Sequence, residues 1–401
     1  MVDKRQKIIG EDAQLFEHIW KTGKGFYITV SILGALVLLG LYAYITQYRN
    51  GLTVTGLSRQ IFWGVYITNF VFFIGISHAG TFISAVLRVL KAEWRRPISR
   101  LSELTTVFIL MFGVGSVLID LGRPDRMLYA IRYANFQSPL LWDVCSITIY
   151  LTVSSICLYL ALIPDIALLR DLGGRREWFY RILSLGWTGA EEQHRRLERA
   201  IGFVSVLVIP VMITVHTVVS FVFAMTIQPL WHSAIFGPYF VVGAIFSGVA
   251  SVIVVMAILR KAYHLESYIK PIHFNNIGIF LMAMTLLWFY FTFAENITIV
   301  YGNEPVHMAI FWSKISGKFA PLFWLHFTLC FVIPLPILAI KKYRTIRGTV
   351  IASISIVLGM WLERFVIIVP TLTRQRMPVG GAFYIPTWVE WSILAGCISL
   401  F

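Results

Sequence analysis

The 401 residues are 58% hydrophobic and only 13% charged, with a mean hydropathy of +0.75, whereas soluble domains carry roughly 25% charged residues. A chain this apolar needs lipid around it, which excludes a soluble globular protein; at ~20 apolar residues per span it has room for about ten membrane helices. Its net charge of +14 sits in short loops beside apolar runs, the pattern that sets membrane topology, and not on the basic face of a soluble module that nucleic-acid binding requires.

Residues 1–25 are polar and charged and read as a cytoplasmic N-terminal segment. The apolar run from Phe26 to Tyr48 is too long for the hydrophobic part of a cleavable signal, so it reads as a first helix that stays in the membrane. Further apolar runs lie at 60–90, 100–122, 138–165, 201–227, 238–263, 274–301, 321–340, 346–369 and 385–401. The expectation is an all-α polytopic membrane protein, a single membrane domain over 26–401. Runs two and four exceed ~25 residues, so they tilt or project from the bilayer. Runs two and six each carry two glycines (Gly75, Gly80; Gly243, Gly248) and end in a basic residue, an echo that two related four-helix bundles would produce. The longest loop, Asp165 to Ala200, holds Gly173-Gly174 and then a basic stretch with Trp178, Phe179, Tyr180 and Trp187. It reads either as an interfacial segment gripping anionic lipid or as a docking site for a partner subunit.

Lys and Arg separate sharply between alternate loops. One side carries 24, in the N-terminal segment and the loops around 88–100, 170–199, 260–270 and 341–347. The other carries nine: Arg49, Arg59, Arg123, Arg126, Arg132, Lys314, Lys318, Arg374 and Arg376. With ten helices this bias places both termini in the cytoplasm.

A charge near the bilayer centre costs ~2.5–3.5 kcal/mol or more, so each ionisable residue within a run calls for a reason. In this topology Asp120, Asp143, Glu295, Glu363, Arg364, His326 and Glu390 fall in the outer half, His78 near mid-membrane, and His216 past the middle of run five. They either pair and cap helix ends, or serve a site that binds a polar headgroup and exchanges protons, since carboxylates and imidazoles do both. A sparser set near the cytoplasmic side comprises Glu103, Asp165, His264, Glu266 and His273. It is either solvated at the interface or feeds protons inward. The four cysteines (Cys145, Cys157, Cys330, Cys397) form no C-x-x-C pair, so no iron–sulfur or zinc motif can be read. The histidines have no repeated spacing and stand at unmatched depths, unlike the paired ligands of a haem bundle; no haem, flavin or metal is expected.

Several local patterns together resemble a known family. Gly75-Ile-Ser-His78-Ala-Gly80-Thr81 is followed by Ala92-Glu-Trp-Arg-Arg-Pro-Ile-Ser-Arg100, Leu121-Gly-Arg-Pro124 and Ser138-Pro-Leu-Leu-Trp-Asp143. Near the end come Trp361-Leu-Glu-Arg-Phe365, Pro370-Thr-Leu372 and Pro386-Thr-Trp-Val-Glu-Trp391. The set resembles the NrfD/PsrC integral membrane subunits of polysulfide reductase-type complexes, and within them the NrfD-like subunits of bacterial alternative complex III. The short linker from Arg123 to Ser138 looks more like the F-type than the C-type of those subunits.

The resemblance implies two four-helix bundles plus flanking helices in a menaquinol:acceptor oxidoreductase of the bacterial inner membrane. Menaquinol would be the substrate, with no covalently bound cofactor. The implied partners are a second NrfD-like membrane subunit, an iron–sulfur subunit, multihaem cytochrome c subunits and small membrane subunits. His78 matches the family's histidine in the second span, while Asp120 stands where relatives often have histidine. The sequence therefore nominates His78, Asp120, Asp143, Arg364, Glu390, Glu295 and His326 for quinol binding or the outer proton path. Glu103, His273 and Glu266 are nominated for proton uptake from the cytoplasmic half. Competing readings are the quinone subunit of a polysulfide reductase-like molybdoenzyme complex, a purely structural anchor, and a secondary transporter broken at Pro210 or at Pro334 and Pro336.

Overall fold

The computed structural model describes residues 23–89, 96–173, 176–373 and 383–400. Most of the expected N-terminal segment and the Glu93-Trp-Arg loop lie outside the described residues. Among the described residues, twelve helices of more than one short turn organise the fold: α1 (Lys24–Asn50), α2 (Val65–Val89), α3 (Arg96–Asp120), α4 (Pro139–Asp171), α5 (Glu177–Leu183), α6 (Glu191–Ala224), α7 (Phe236–Ala262), α8 (Pro271–Gly302), α9 (Pro305–Ile315), α10 (Ala320–Ala339), α11 (Ile346–Leu372) and α12 (Trp388–Leu400). Among the described residues, nine are long and apolar enough to cross a membrane, and α12 is a shorter apolar helix. At ~1.5 Å per residue the 34-residue α6 is about 51 Å long, well beyond a ~30 Å hydrocarbon core, so its charged first turns project. Several helices start on proline (Pro139, Pro271, Pro305), whose missing N–H costs nothing at the first turn.

Helix contacts close two rings. In the first, α2 packs on α3, α3 on α4, α4 on α6 and α6 back on α2; in the second, α7 packs on α8, α8 on α10, α10 on α11 and α11 back on α7. The rings join along α2 and α7, which begin on the same face of the protein, with α11 also touching α2 and α6 touching α7. Thus each bundle's first helix is central and its last helix reaches across to the neighbour. Of the glycines in the two echoing runs, Gly75 serves this joint, while Gly243 makes room for Arg364 of α11 inside the second bundle. Gly75 lies against Ala244 and Ser247, and a methyl group on Gly243 would stand 2.4 Å from Arg364 Nη2. The flanking pair α1 and α12 cross where Gly40 meets Gly396 at near backbone contact, the small-residue packing that lets membrane helices approach closely.

Two prolines act differently. Pro210 sits inside α6 without ending it. In α10 the turn Thr328–Val332 is wound as a π-helix immediately before Pro334, so the helix widens to absorb the lost amide and continues. Neither bundle contains the paired unwound segments of a broken-helix transporter among the described residues.

Candidate functional site

The loops 51–64, 121–138, 225–235 and 303–319 share one face, here the upper face. Between the helices of the second bundle a cavity of about 60 Å³ opens towards it, lined among others by Tyr239, Glu295, Lys314, His326 and Glu363. Its floor is built on Glu363, which is 2% exposed. The Tyr239 hydroxyl from α7 donates a short hydrogen bond to Glu363 Oε1, and the Trp288 indole N–H from α8 donates to the same oxygen at 2.7 Å. One carboxylate therefore ties α7, α8 and α11 together, and aromatic side chains supply both donors, as buried Tyr and Trp usually must.

Glu363 Oε2 accepts no hydrogen bond and lies 3.3 Å from Arg364 Nη1. The Arg364 guanidinium, equally buried, lies over the Phe240 ring at 4.8 Å, a favourable face for a cation. From α10, His326 is edge-on to Trp288 and Phe323, and its Nδ1 has no hydrogen-bond partner. At the cavity mouth Ser233 donates to Glu295 at 3.0 Å. Lys314 projects from α9, where burial, partly offset by Glu295, pulls its ammonium down to about 8. The chamber thus offers a carboxylate and an unpartnered imidazole nitrogen at its floor, and the Glu295 carboxylate and Lys314 ammonium at its rim.

A second polar cluster lies in the first bundle against the joint. His78 is fully enclosed, with Nδ1 2.5 Å from the Ile74 carbonyl oxygen and Nε2 3.1 Å from that of Met212. Its ring contacts Tyr150 (4.7 Å) and His216 (4.6 Å). This corrects the expectation that the histidines stand at unmatched depths. Counting residues from helix ends ignores the axial offset between α2 and α6, and the two rings meet. They touch directly.

Residues 53–375 match the family described as Polysulphide reductase, NrfD. The chain belongs to this family. It is similar to a putative dimethyl sulfoxide reductase membrane subunit of Halobacterium salinarum, 26% identical over 94% of this chain and 88% of the relative. It is also similar to a selenate reductase subunit of Mesobacillus selenatarsenatis (25% identical; 94% and 91%). A third relative is the Hdr-like menaquinol oxidoreductase integral membrane subunit of Archaeoglobus fulgidus (24%; 94% and 90%).

In this NrfD-family chain the residues nominated from sequence fall into separate places. Glu295 and His326 share the cavity with Glu363, and Arg364 lies beside Glu363 but faces the joint. His78 sits across the joint with His216. Glu390 is elsewhere: its Oε2 accepts the backbone N–H groups of Gly56 (2.8 Å) and Thr387 (2.9 Å), and its Oε1 accepts a short bond from Tyr384, whose hydroxyl in turn takes the Val65 N–H. Thr387 and Glu390 have the spacing of a capping box at the start of α12, so this carboxylate latches α12 to the 51–64 loop and α2. Asp120 lies within electrostatic reach of Glu390, at the end of α3. Asp143 is buried on α4 with Oδ1 unpartnered. On the opposite, lower face Glu103 accepts from Ser84 (2.6 Å), His273 accepts the Lys270 N–H at the start of α8 (2.9 Å), and Glu266 is exposed in the loop before it.

Sequence reasoning passes over Tyr239, Trp288 and Lys314, and keeps Glu363 only as one more buried charge. The first two hide in apolar runs because their polar atoms are a small part of large rings. Lys314 reads as a loop charge, although Pro305, opening an 11-residue and largely apolar stretch, marks a helix start.

Proposed function

We propose that this chain is the quinone-handling membrane subunit of a menaquinol:acceptor oxidoreductase, and that the cavity of the second bundle takes the quinol headgroup. The observation that carries the reading is the floor of the cavity, where Glu363 and His326 face an apolar chamber open to one side of the membrane. The names of two relatives, an Hdr-like menaquinol oxidoreductase membrane subunit and a menaquinone reductase integral membrane subunit from Nitratidesulfovibrio vulgaris, support the substrate class.

Oxidation of a quinol releases two electrons and two protons. His326, with a free ring nitrogen, accepts one proton from a quinol hydroxyl. Glu363 accepts through Oε2, while Tyr239 and Trp288 hold Oε1 and keep the carboxylate oriented. The electrons leave to a redox centre of a partner subunit docked on the upper face. Lys314 and Glu295 at the rim attract the polar headgroup and return protons to the water outside. The charge bias of the loops makes the upper face the outer side of the inner membrane and leaves both termini cytoplasmic.

The complex is of the alternative complex III kind, with a second NrfD-like subunit, an iron–sulfur subunit, multihaem cytochromes and small membrane subunits as partners. Relatives named as dimethyl sulfoxide and selenate reductase subunits favour a second reading, in which the same site feeds a molybdoenzyme. Purification with partners intact and mass spectrometry separates them by the presence of a multihaem cytochrome or of a molybdenum subunit. For the site itself, Glu363→Gln and His326→Gln in the assembled complex should each lower quinol turnover by about 10²-fold, the lower end of what positioned proton-transfer groups contribute. Assembled variants with the parent's turnover would overturn the assignment.

A further inference from the structure

One turn of α10 departs from α-helical winding. Over Thr328–Val332 it is a π-turn, in which the Ile333 N–H donates to the Thr328 carbonyl, five residues back, at 3.0 Å. An α-turn would give that N–H to the Leu329 carbonyl instead. The next amide cannot serve Leu329 either, because residue 334 is proline and has no N–H. The Leu329 carbonyl is therefore left without a donor in its own helix, inside a membrane span, where an unsatisfied backbone group is not tolerated. The donor comes from the neighbouring helix: the Ser355 hydroxyl of α11 donates to the Leu329 oxygen at 2.7 Å.

Ser355 starts a stripe on α11. Ser355, Gly359 and Glu363 follow one another at four-residue spacing, so they share one face. Gly359 brings that face against the π-turn, since a methyl group there would stand 2.6 Å from Cys330 Sγ and 2.9 Å from Leu329 Cβ. Glu363 ends the stripe at the cavity, which it lines together with His326, two residues before the π-turn. On the α8 side, Phe331 of the turn stacks on Phe289 at 4.3 Å. The register of α10 against both neighbours is thus fixed in the turn next to the cavity floor.

Two carbonyls, of Thr328 and Leu329, compete for the one N–H of Ile333, and Ser355 decides between them. With the hydroxyl in place Leu329 is satisfied, and Ile333 stays with Thr328. Without it, Leu329 is satisfied by drawing the Ile333 N–H into an α bond, which narrows the turn. At 3.6 residues per turn, taking up one residue rotates the part of α10 that carries Phe323 and His326 by up to ~100° against the part beyond Pro334.

We propose that Ser355 is a positioning residue: by holding the π-turn of α10 open, it aims the His326 imidazole into the cavity beside Glu363. The proposal rests on the reading of the cavity as the quinol site. Ser355 lies outside the cavity lining and acts only through the winding of α10.

The test uses the assembled complex. Ser355→Ala removes the hydroxyl and Ser355→Thr keeps it; Ser355→Ala is also made together with His326→Gln. Turnover per assembled complex is measured over a range of menaquinol concentrations, and the His326 ring is located in an electron-microscopy map of the Ser355 single variants. Ser355→Ala is expected to lower kcat about 10-fold, short of the ~10²-fold expected from losing the imidazole outright, with KM within about twofold of the parent's. Its map should show the ring turned away from Glu363. Ser355→Thr should match the parent in both readings, and Ser355→Ala should add no further loss to His326→Gln, because both changes act through one group. A parent-like kcat or an unmoved ring in Ser355→Ala, or a full further loss in the His326→Gln background, overturns the proposal. If Ser355→Ala fails to assemble, Ser355→Cys, of similar bulk but with only a weak S–H donor, decides by the same readings. A His326→Gln complex with the parent's turnover sinks the cavity reading instead, and the position of the ring in Ser355→Ala then decides alone whether Ser355 holds the turn.

Discussion

Replacing Glu363 by glutamine removes the carboxylate charge 3.3 Å from Arg364 while keeping its bulk and the oxygen that Tyr239 and Trp288 use. Both side chains of the ion pair are 2% exposed, so solvent screens little of the loss. Leaving one charge of a buried pair without its partner costs about 3–5 kcal/mol. Glu363→Leu in addition strands two buried donors at about 1–3 kcal/mol each, about 5–11 kcal/mol in all, which reaches the ~5–15 kcal/mol that holds a typical fold together. The reverse change, Arg364→Met, is expected to be milder, because Glu363 keeps two hydrogen bonds whereas neither terminal nitrogen of Arg364 makes one. The double variant Glu363→Gln with Arg364→Met should recover about 2 kcal/mol or more of the single Glu363→Gln loss, the coupling expected of residues in contact. Size-exclusion measurement of the folded fraction after graded heating in detergent ranks the variants. The expected order is parent, Arg364→Met, the double variant, Glu363→Gln and last Glu363→Leu. Glu363→Gln as stable as the parent, or a double variant no better than Glu363→Gln alone, would refute the reasoning.

Three further outcomes follow from particular residues. The Lys314 ammonium, lowered to about 8 by burial, is cationic below that pH and neutral above it, so the apparent KM for quinol should rise as pH passes through about 8; Lys314→Met should hold the higher KM at every pH, and an unchanged inflection would contradict it. Glu390→Gln should assemble and turn over like the parent, whereas Glu390→Ala strands the N–H groups of Gly56 and Thr387 at about 1–3 kcal/mol each and should lower the yield of folded protein; a turnover defect in well-assembled Glu390→Gln would return this residue to the functional set. A cysteine placed at Glu191, exposed on the lower face, should be protected from impermeant reagents in intact cells, and labelling there would invert the assigned orientation.

The span order was legible because apolar runs in a membrane protein are long and the lipid requirement acts on each independently. The echo of glycines in runs two and six falls on α2 and α7, the helices along which the bundles pack, but only Gly75 lies at that contact, whereas Gly243 faces Arg364 of α11. What the sequence did not resolve was which ionisable residues face one another. Depth along a helix says nothing about azimuth, so Glu390, Asp120, His78 and Glu363 looked like one group although they sit in three places. Glu390 carried a structural signal all along in Thr-x-x-Glu at 387–390, whereas the donors to Glu363 lie in apolar runs and only the packed structure reveals them. The meeting of His78 and His216 depends on helix offset, which no residue spacing encodes.

The most direct test of the cavity assignment is photo-crosslinking of the intact complex with an azido-menaquinone, followed by mapping of the labelled peptides. The account predicts label on the cavity walls contributed by α7 to α11, around Tyr239, Asn296, Phe311 and Phe323, with loss of label in Glu363→Gln. Label confined to the first bundle, around His78 or Asp143, would contradict it.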